Sequence, residues 1–563
     1  MNTENEIRET PGLVKVMQNT ENTTAEIKAV AADSQFVPRP VKAADPQSAA
    51  RFKELVPTAF GFAVLFLLAI YKNEAGAAYT AMVAGMFALF KAVEDATRKL
   101  TLKAQRSDGS APAAREASTT APSAPASKEA STAVNRPYRL FLMIICILLS
   151  VSVWTTSSST LQFLDRCLIQ LLAAVWLLLG RFPAAGWGPG QYILGVLHVV
   201  CTPLAHLFVP FRDLANFAKQ SKHANKSGAR ALPAILLGLA IACPILIFVL
   251  TLLSEADSVF AHLLNSITLN FTIPEFLQDC IPVLFDLVFA FILFYTLAHF
   301  FCGQGDPRIH IESGKRTANP LTAITVLAVL TAVYAVFCGI QVIYLLGRRP
   351  LPDGITYAAY AHEGFYQLAA VCFLNLALVI ICENTFRQHR VLSALMLIMS
   401  CCTYIMIASS AARMILYISA YDLTFLRVFV LWFLAALTVC LTAVCAGILN
   451  PKVPVFRISL GAVAVLFLAF ALAHPDYWIA CYNVSAYQRG HGLDKTYIVY
   501  NLSDDAAPVI AQNAELLKMK KDSIEDDRAF HEMENDEWWY DTFLNQIRIF
   551  NASEAAARRY YGG

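Results

Sequence analysis

Long apolar stretches, separated by short polar ones, fill most of residues 55–473. A bilayer core of about 30 Å requires roughly 20 apolar residues in a helix, and only helices or closed barrels satisfy their backbone hydrogen bonds there. We therefore predict an all-α, polytopic membrane bundle with about eleven spans (ten to twelve). The predicted spans are residues 55–71, 76–90, 138–155, 161–179, 231–253, 276–301, 320–346, 359–382, 391–412, 424–447 and 455–473.

A further apolar segment, residues 192–210, does not fit the charge pattern of a crossing. Short cytoplasmic loops collect Lys and Arg. Nine such residues lie in 91–139 and five in 211–230, so both segments should be cytoplasmic. The two spans between them already return the chain to one side, so we predict that 192–210 is re-entrant or interfacial. This scheme puts the N-terminus in the cytoplasm and the C-terminus outside, with Arg348-Arg349 as its exception. A twelve-span alternative requires only two weak charge exceptions.

The polar segments divide the chain into five predicted regions. The first is rich in polar residues and lacks apolar periodicity, as is typical of a disordered tail. The last carries 15 Asp and Glu against 9 Lys and Arg, together with apolar positions that suit amphipathic helices. We predict a disordered cytoplasmic tail at 1–54, a transmembrane hairpin at 55–91, a flexible Ala/Ser/Pro-rich linker at 92–137, the main bundle at 138–473 and an acidic, helical extramembrane domain at 474–563.

Composition supports the membrane class and excludes others. Hydrophobic residues make up 57% of the chain and charged residues 15%, and the formal net charge of +2 gives no reason to expect nucleic-acid binding. The 14 cysteines lie mostly inside apolar runs, without CxxC pairs or zinc spacing. We therefore predict no cofactor and no metal site. The expected partners are the lipid bilayer and an envelope protein bound through the C-terminal domain.

No catalytic signature is present in the sequence. The segment His531-Glu532-Met533-Glu534-Asn535 lacks the second His of a zinc-binding HExxH helix, and there is no GxSxG, P-loop or dinucleotide fingerprint. We assign no catalytic residue, and the sequence gives more reason to expect a non-enzymatic protein than an enzyme.

Ionisable side chains inside spans are costly and are therefore candidate functional residues. Asp165 and Arg166 lie close to the end of their span, where we expect a structural role. Asp286 lies about ten residues into its span, near mid-depth. It is either a protonated carboxyl hydrogen-bonded across the bundle or a buried coupling residue for protons or cations.

Glu363 and Arg413 are predicted to form an ion pair. They lie 20 residues before and 23 residues after the loop 383–390. At about 1.5 Å per residue, both are roughly 30 Å from that loop, at the outer boundary. The pair is either a structural clasp or part of a ligand vestibule. Other candidate residues of the outer mouth are His362, Tyr366, Gln367, Tyr417, Arg427 and Asp257.

Four stretches in order resemble a bacterial membrane family. They are 360–368; 411–427, with Arg413, Tyr417, Tyr421 and Arg427; 253–260; and the tail with Asn483, Asp494, Tyr497, Leu502-Ser503 and Ala507-Pro508. Together, over about 140–510, they resemble domain of unknown function 4173, which is close to 4153. The resemblance implies a bacterial inner-membrane protein with no assigned activity. The family usually has Arg where this chain has His362, which would make a charge there pH-dependent.

Three function classes remain open from the sequence. The favoured one is a non-enzymatic envelope protein that acts in assembly, sensing or partner binding at its outer face. The second is a transporter or channel for a small solute or lipid component, with Asp286 as the coupling group. The third is a membrane enzyme for lipid or cell-wall precursors that uses Glu363 and Asp257.

Overall fold

The computed structural model describes residues 46–71, 76–107, 124–182, 184, 187–221, 275–302, 318–343, 365–531 and 550–561, with 249, 253, 257, 259, 260 and 548 as single positions. These residues form helices, and the β pairing among them is one isolated bridge between Ala318 and Phe386. The helices are α1 Pro46–Ile70, α2 Ala78–Ser107, α3 Ala124–Thr155, α4 Ser159–Arg181, α5 Pro189–Ala205, α6 Val209–Ser221, α7 Glu275–Leu297, α8 Pro320–Gln341, α9 Phe365–Thr385, α10 Arg390–Tyr421, α11 Phe425–Leu449, α12 Val455–Leu472, α13 Pro475–Gln488, α14 Ala507–Ile510, α15 Ala514–His531 and α16 Ala552–Tyr561.

Nine helices in the described part of the chain are long and apolar enough to cross a membrane, or ten if the bent pair α5 and α6 counts as one span. This confirms the all-α, polytopic class. The nine are α1, α3, α4 and α7 to α12. Of the other two predicted spans, 76–90 falls in α2 from residue 78 onward, and 231–253 lies almost wholly outside the described residues.

Although α2 is not among the nine, it runs beside α3 through the apolar part of the bundle. The Thr80 hydroxyl donates to the carbonyl of Ser150 at 2.9 Å. Fourteen residues later, Glu94 accepts two hydrogen bonds from Arg139, both at 3.1 Å. At about 1.5 Å per residue these contacts are roughly 21 Å apart. The charges of its second half lower its mean hydropathy, but its first half packs into the core.

The bundle has two ends, which we name by what lies there. At the cap end, α3, α10 and α12 terminate, and the described residues of 475–561 lie there, with α16 packed against α3 and α13 against α11. At the basic end, α4, α9 and α11 terminate and the intervening segments carry Arg and Lys. The basic residues there include Arg136, Arg181, Arg387, Arg390, Lys452 and Arg457.

Both ends of α5 lie at the basic end. The Tyr192 ring, at the start of α5, stacks on Phe456 in the first turn of α12, with centroids 4.1 Å apart. The His206 ring, just after α5, lies 4.3 Å from that of Phe300 in the π-helical turn that follows α7. The chain then bends by 56° into α6. A helix with both ends at one side does not span the bundle, so this placement favours the interfacial interpretation of 192–210.

Two hydrophobic cores fill the membrane bundle. The first, from α1 to α5, α7 and α12, contains a stack in which the Phe294 ring lies 4.9 Å from that of Phe62 and 4.3 Å from that of Phe90. The second joins α8 to α11 and contains Met396, Met399, Met406 and Met414. Beside the first core, α4 approaches α3 closely at Gly180, where a Cβ would lie 2.8 Å from Nη2 of Arg139.

The helical parts of the chain extend beyond the predicted domain boundaries. α2 continues to Ser107 and α3 begins at Ala124, so the ends of the predicted linker 92–137 are helical. These ends are rich in Ala, Lys, Glu and Arg, which have high helix propensity. The middle of the linker, 108–123, and the tail 1–45 lie outside the described residues. The division into domains stays a prediction.

Candidate functional site at the cap end

A buried carboxylate, Asp505, organises the cap end. It accepts hydrogen bonds from the Thr156 hydroxyl at 2.6 Å, the Ser157 backbone N–H at 3.3 Å, Nδ1 of His474 at 3.1 Å and the hydroxyl of Ser553. The side chain is 2% exposed. Because a buried charge is tolerated only when it is well paired, these four donors explain its position. We call Asp505 and these four donors the latch.

The latch joins four separate parts of the chain. Thr156 and Ser157 lie between α3 and α4, His474 between α12 and α13, Asp505 in a 3₁₀ turn and Ser553 in α16. Thr and Ser hydroxyls compete for backbone hydrogen bonds and favour helix ends, which is why the Thr-Ser-Ser-Ser run interrupts the helix here. The carbonyl of Thr156 also accepts from Gln162 at 2.8 Å and from Asn551 at 2.9 Å.

A second buried carboxylate, Asp476, lies on the same surface of the cap. It accepts from the Ser503 hydroxyl at 2.7 Å and from the Ser503 backbone N–H at 3.3 Å. His474, which bonds to Asp505, lies two residues before Asp476. It adopts the left-handed backbone conformation (φ 50°) at the turn from α12 into α13, and Pro475 is the first residue of α13. The cap is therefore fixed to the bundle by polar bonds as well as by its own apolar core.

The electrostatics of the latch keep Asp505 charged. Burial by itself raises the pKa of Asp505, but hydrogen bonds from His474, Ser553 and Thr156 outweigh it and the net pKa is below the usual value. The hydrogen bond to Asp505 raises the pKa of His474, against the effect of its own burial. Burial raises the pKa of Asp476. Near neutral pH, the raised pKa of His474 favours an imidazolium beside a carboxylate.

The arrangement of the latch is unsuited to nucleophilic catalysis. In a hydrolase triad, His lies between Ser and Asp so that it takes the Ser proton. Here the carboxylate is central, and the Ser553 and Thr156 hydroxyls donate to it instead of to His474. Among the residues that the structure describes, no three His, Cys, Asp or Glu side chains are grouped to hold a metal ion. The latch therefore has a structural role: its hydrogen bonds hold four chain segments together.

The other residues of the tail motif attach the cap to the turn between α10 and α11. The Asn483 side chain donates to the carbonyl of Leu423 and accepts from its N–H, both at 2.9 Å. The Tyr497 hydroxyl accepts from the N–H of Phe425 at 2.9 Å. The Asp494 side chain accepts from the Tyr497 N–H at 2.9 Å, just before the π-helical turn Tyr497–Asn501. These motif residues therefore serve cap attachment.

Arg413 has a partner that the sequence did not suggest. Its Nη2 donates to Oε1 of Gln341 in α8 at 3.1 Å, and the Ser409 hydroxyl donates to the same oxygen at 2.7 Å. Both Arg413 and Gln341 are buried. Glu363 and His362 lie outside the described residues, so the predicted ion pair stays a prediction.

The start of α9 lies close to Arg413. The Ser410 hydroxyl, one helical turn before Arg413, donates to the carbonyl of Phe365 at 3.3 Å. Phe365 is the first residue of α9 and is two positions after Glu363. The described neighbourhood is therefore compatible with the predicted pair.

Four further predicted residues of the outer mouth lie at the cap end. The guanidinium of Arg427 lies 4.3 Å from the ring centroid of Tyr417, and Arg427 also donates to the carbonyls of Tyr421 and Asp422. Tyr366 and Gln367 are exposed in the first turn of α9. Arg427 is thus engaged by the backbone that ends α10, which suits a structural role.

The remaining three carboxylates differ in burial. Asp286 in α7 is half-buried, whereas Asp165 in α4 is fully buried, with neither carboxylate oxygen in a hydrogen bond of normal geometry. Asp257 is exposed, and its described side-chain contact is with the Val259 N–H at 2.8 Å. Among these three carboxylates, Asp165 is the fully buried one, although its place near a helix start had suggested a structural role.

Sequence reasoning missed the latch and Gln341. His474 and Asp505 lie after the last predicted span, 455–473, so a search for charges inside spans passes over them. The available signal was the position of Asp505 directly before buried Ala506 and Ala507, since a charge flanked by small apolar residues suggests a paired carboxylate. Gln341 is uncharged and gave no signal.

Comparisons with known proteins agree with this architecture only at the family level. Residues 143–513 match the family described as "Domain of unknown function (DUF4153)". The match does not show the family 4173 that the motifs resemble; it shows the one stated to be close to it. No curated protein and no solved structure matches the chain. The matched region runs from within α3 to the residue before α15 and includes His474 and Asp505.

Proposed function

We propose that this chain, which belongs to the DUF4153 family, is a non-enzymatic envelope membrane protein that binds a protein partner at its cap end. The observation that carries the proposal is the latch, because it converts the C-terminal segment from a tether into a surface with a fixed orientation. A fixed surface loses little conformational entropy when it binds.

The surface of the cap suits a protein partner. Tyr487, Tyr500 and Tyr560 are each about half exposed, and Trp478 is 61% exposed. Aromatic side chains supply much of the binding energy at protein interfaces. Trp478 and Tyr421 also suit the headgroup level of a bilayer, which would place the membrane boundary beside the cap.

We further propose that the basic end is cytoplasmic and that the protein lies in a bacterial inner membrane, with its N-terminus inside and its cap outside. The Lys and Arg residues of the basic end support this orientation through the positive-inside rule. Alkaline phosphatase fused after Gly563 should be active, and fused after Lys452 it should be inactive. The reverse result would contradict the orientation.

Site-specific crosslinking tests partner binding. A photoreactive residue at position 500 should give a discrete protein adduct in native membranes. The matched control is position 449, where Leu449 is 72% exposed at the basic end, and it should give none. The adduct should disappear in Asp505→Asn. Failure of positions 487, 500 and 560 alike to give an adduct would reject the proposal.

A second candidate is transport, and one observation favours it. Asp165 is fully buried in a span and lacks a well-formed hydrogen bond among the described residues, which is a costly arrangement that membrane proteins often retain for function. Complementation of a deletion strain separates the candidates. Partner binding predicts that Asp505→Asn fails whereas Asp165→Asn and Asp286→Asn succeed, and transport predicts that one of the latter two fails.

A further inference from the structure

A cavity of about 550 Å³ opens at the basic end of the bundle, opposite the cap. It lies between the start of α5, the end of α9 and the segment that joins α11 to α12. This volume falls within the roughly 300–1,000 Å³ of small-molecule sites. No residue of the predicted outer mouth or of the latch lines it.

The lining of the cavity combines two kinds of side chain. Lys452 and Glu383 bring one charge of each sign, and Asn384 adds an amide whose Nδ2 donates to the carbonyl of Ile380 at 2.7 Å. Ile193 and Leu194 line the same cavity but are 64% and 61% exposed. The cavity therefore suits a ligand whose polar part carries one positive and one negative charge and whose other part is apolar.

The apolar side of the cavity continues along α5. Ile193, Leu197, Val200 and Leu204 are spaced by four, three and four residues, which places them on one helical face, and each is more than half exposed. Because α5 lies across the basic end with both of its ends at that level, this face is at the depth of the membrane interface. Interfacial helices bury such a face about 5–10 Å into the boundary between headgroups and acyl chains.

The wall of the cavity is held rigidly. Arg457 donates from Nε to the Tyr192 hydroxyl at 3.0 Å and from Nη2 to Oδ1 of Asn135 at 2.7 Å, which fixes α5 to α12 and α3. On the opposite wall, a Cβ at Gly188 would overlap Oδ1 of Asn384, so the two segments approach as closely as a glycine permits. A rigid wall of this kind supports a preformed site.

We propose that this cavity binds the headgroup of a phospholipid that carries both a phosphate and a primary amine, with an acyl chain along the apolar face of α5. Lys452 pairs with the phosphate and Glu383 with the ammonium group. Glu383 disfavours a headgroup that is only anionic. A quaternary amine lacks the N–H donors that a carboxylate accepts, so a choline headgroup binds less well.

Lipid retention by the purified full-length protein tests the proposal. The protein is delipidated in detergent, incubated with phosphatidylethanolamine, phosphatidylglycerol or phosphatidylcholine, and analysed by native mass spectrometry. Phosphatidylethanolamine should be retained about tenfold more tightly than the other two, the effect of roughly one charge-assisted contact.

Two variants make the result specific. Lys452→Ala should weaken phosphatidylethanolamine and phosphatidylglycerol alike by about tenfold, whereas Glu383→Gln should weaken only phosphatidylethanolamine. Lys518→Ala, an exposed lysine in α15 at the cap end, is the matched control and should change nothing. Lys452 is exposed and Glu383 is half-buried, and unchanged thermal unfolding without added lipid verifies that each variant is folded.

Three outcomes would overturn the proposal. Equal retention of all three lipids would show that lipid replaces detergent on the protein without selecting a headgroup. An unchanged lipid preference in Glu383→Gln would show that Glu383 does not contact the amine of the headgroup. Binding of free phosphoethanolamine as tight as that of the lipid would show a soluble ligand, since the apolar face of α5 would then contribute nothing.

Discussion

The change Asp505→Asn should release the C-terminal helix from the bundle without unfolding the spans. Asn keeps one acceptor oxygen and replaces the other by an amide NH2 group, which is a donor, so two of the four hydrogen bonds lose their acceptor. Hydrogen bonds to a charged group contribute roughly 1.5–3 kcal/mol each. The loss is therefore at least about 3 kcal/mol, which raises the opening equilibrium of the cap about 150-fold.

Hydrogen exchange of the protein in lipid nanodiscs measures this opening. Amides of α16 and of the turn that contains Asp505 should exchange about 150-fold faster in the variant, while amides of α10 and α11 keep their protection. Asp494→Asn is the matched control, because Asp494 is exposed and accepts one backbone hydrogen bond. If α16 exchanged equally in both variants, the latch would not hold the cap and the reasoning from its geometry would be refuted.

Three further changes probe the same end of the molecule. Because His474 has a raised pKa, its contribution to cap stability is complete below about pH 6.5 and is lost as the pH rises through the folded value. Exchange protection of α16, corrected for intrinsic rates, should therefore fall as the pH rises above about 6.5, and should fall less in His474→Gln. Gln341→Leu should cost roughly 2–4 kcal/mol in denaturant unfolding, because two buried donors lose one acceptor. Glu363→Gln and Arg413→Gln should show a coupling energy of about 1 kcal/mol or more in a double-mutant cycle.

Each of these changes has an outcome that contradicts it. Cap protection that is independent of pH would show that the charge of His474 does not stabilise the latch. A Gln341→Leu protein as stable as Thr331→Val, which alters a buried hydroxyl in the same helix, would show that Gln341 is not an important acceptor. Strictly additive losses for the last pair would reject an ion pair between α9 and α10.

The cap also illustrates where sequence patterns lose their power. Periodicity predicted amphipathic helices in the C-terminal region, and α15 and α16 are helical there. It gave no indication that Asp505 bonds to His474 and Ser553, or to Thr156, which is more than 300 positions away. Such pairings depend on which helix ends share one side of the bundle, and that is a property of packing.

The apolar runs alone were enough to predict a bilayer environment and the broad layout of the helices, because a bilayer tolerates few alternatives to long apolar helices. Counting charges also marked 192–210 as an unusual segment, and the position of α5 favours that interpretation. Which polar side chains form hydrogen bonds with one another depended on how the helices pack. Asp505 needed four donors from separate segments, and Arg413 met Gln341 because α8 packs against α10. Desolvation makes each buried polar group depend on its partners, and partners distant in sequence become neighbours only when the helices assemble.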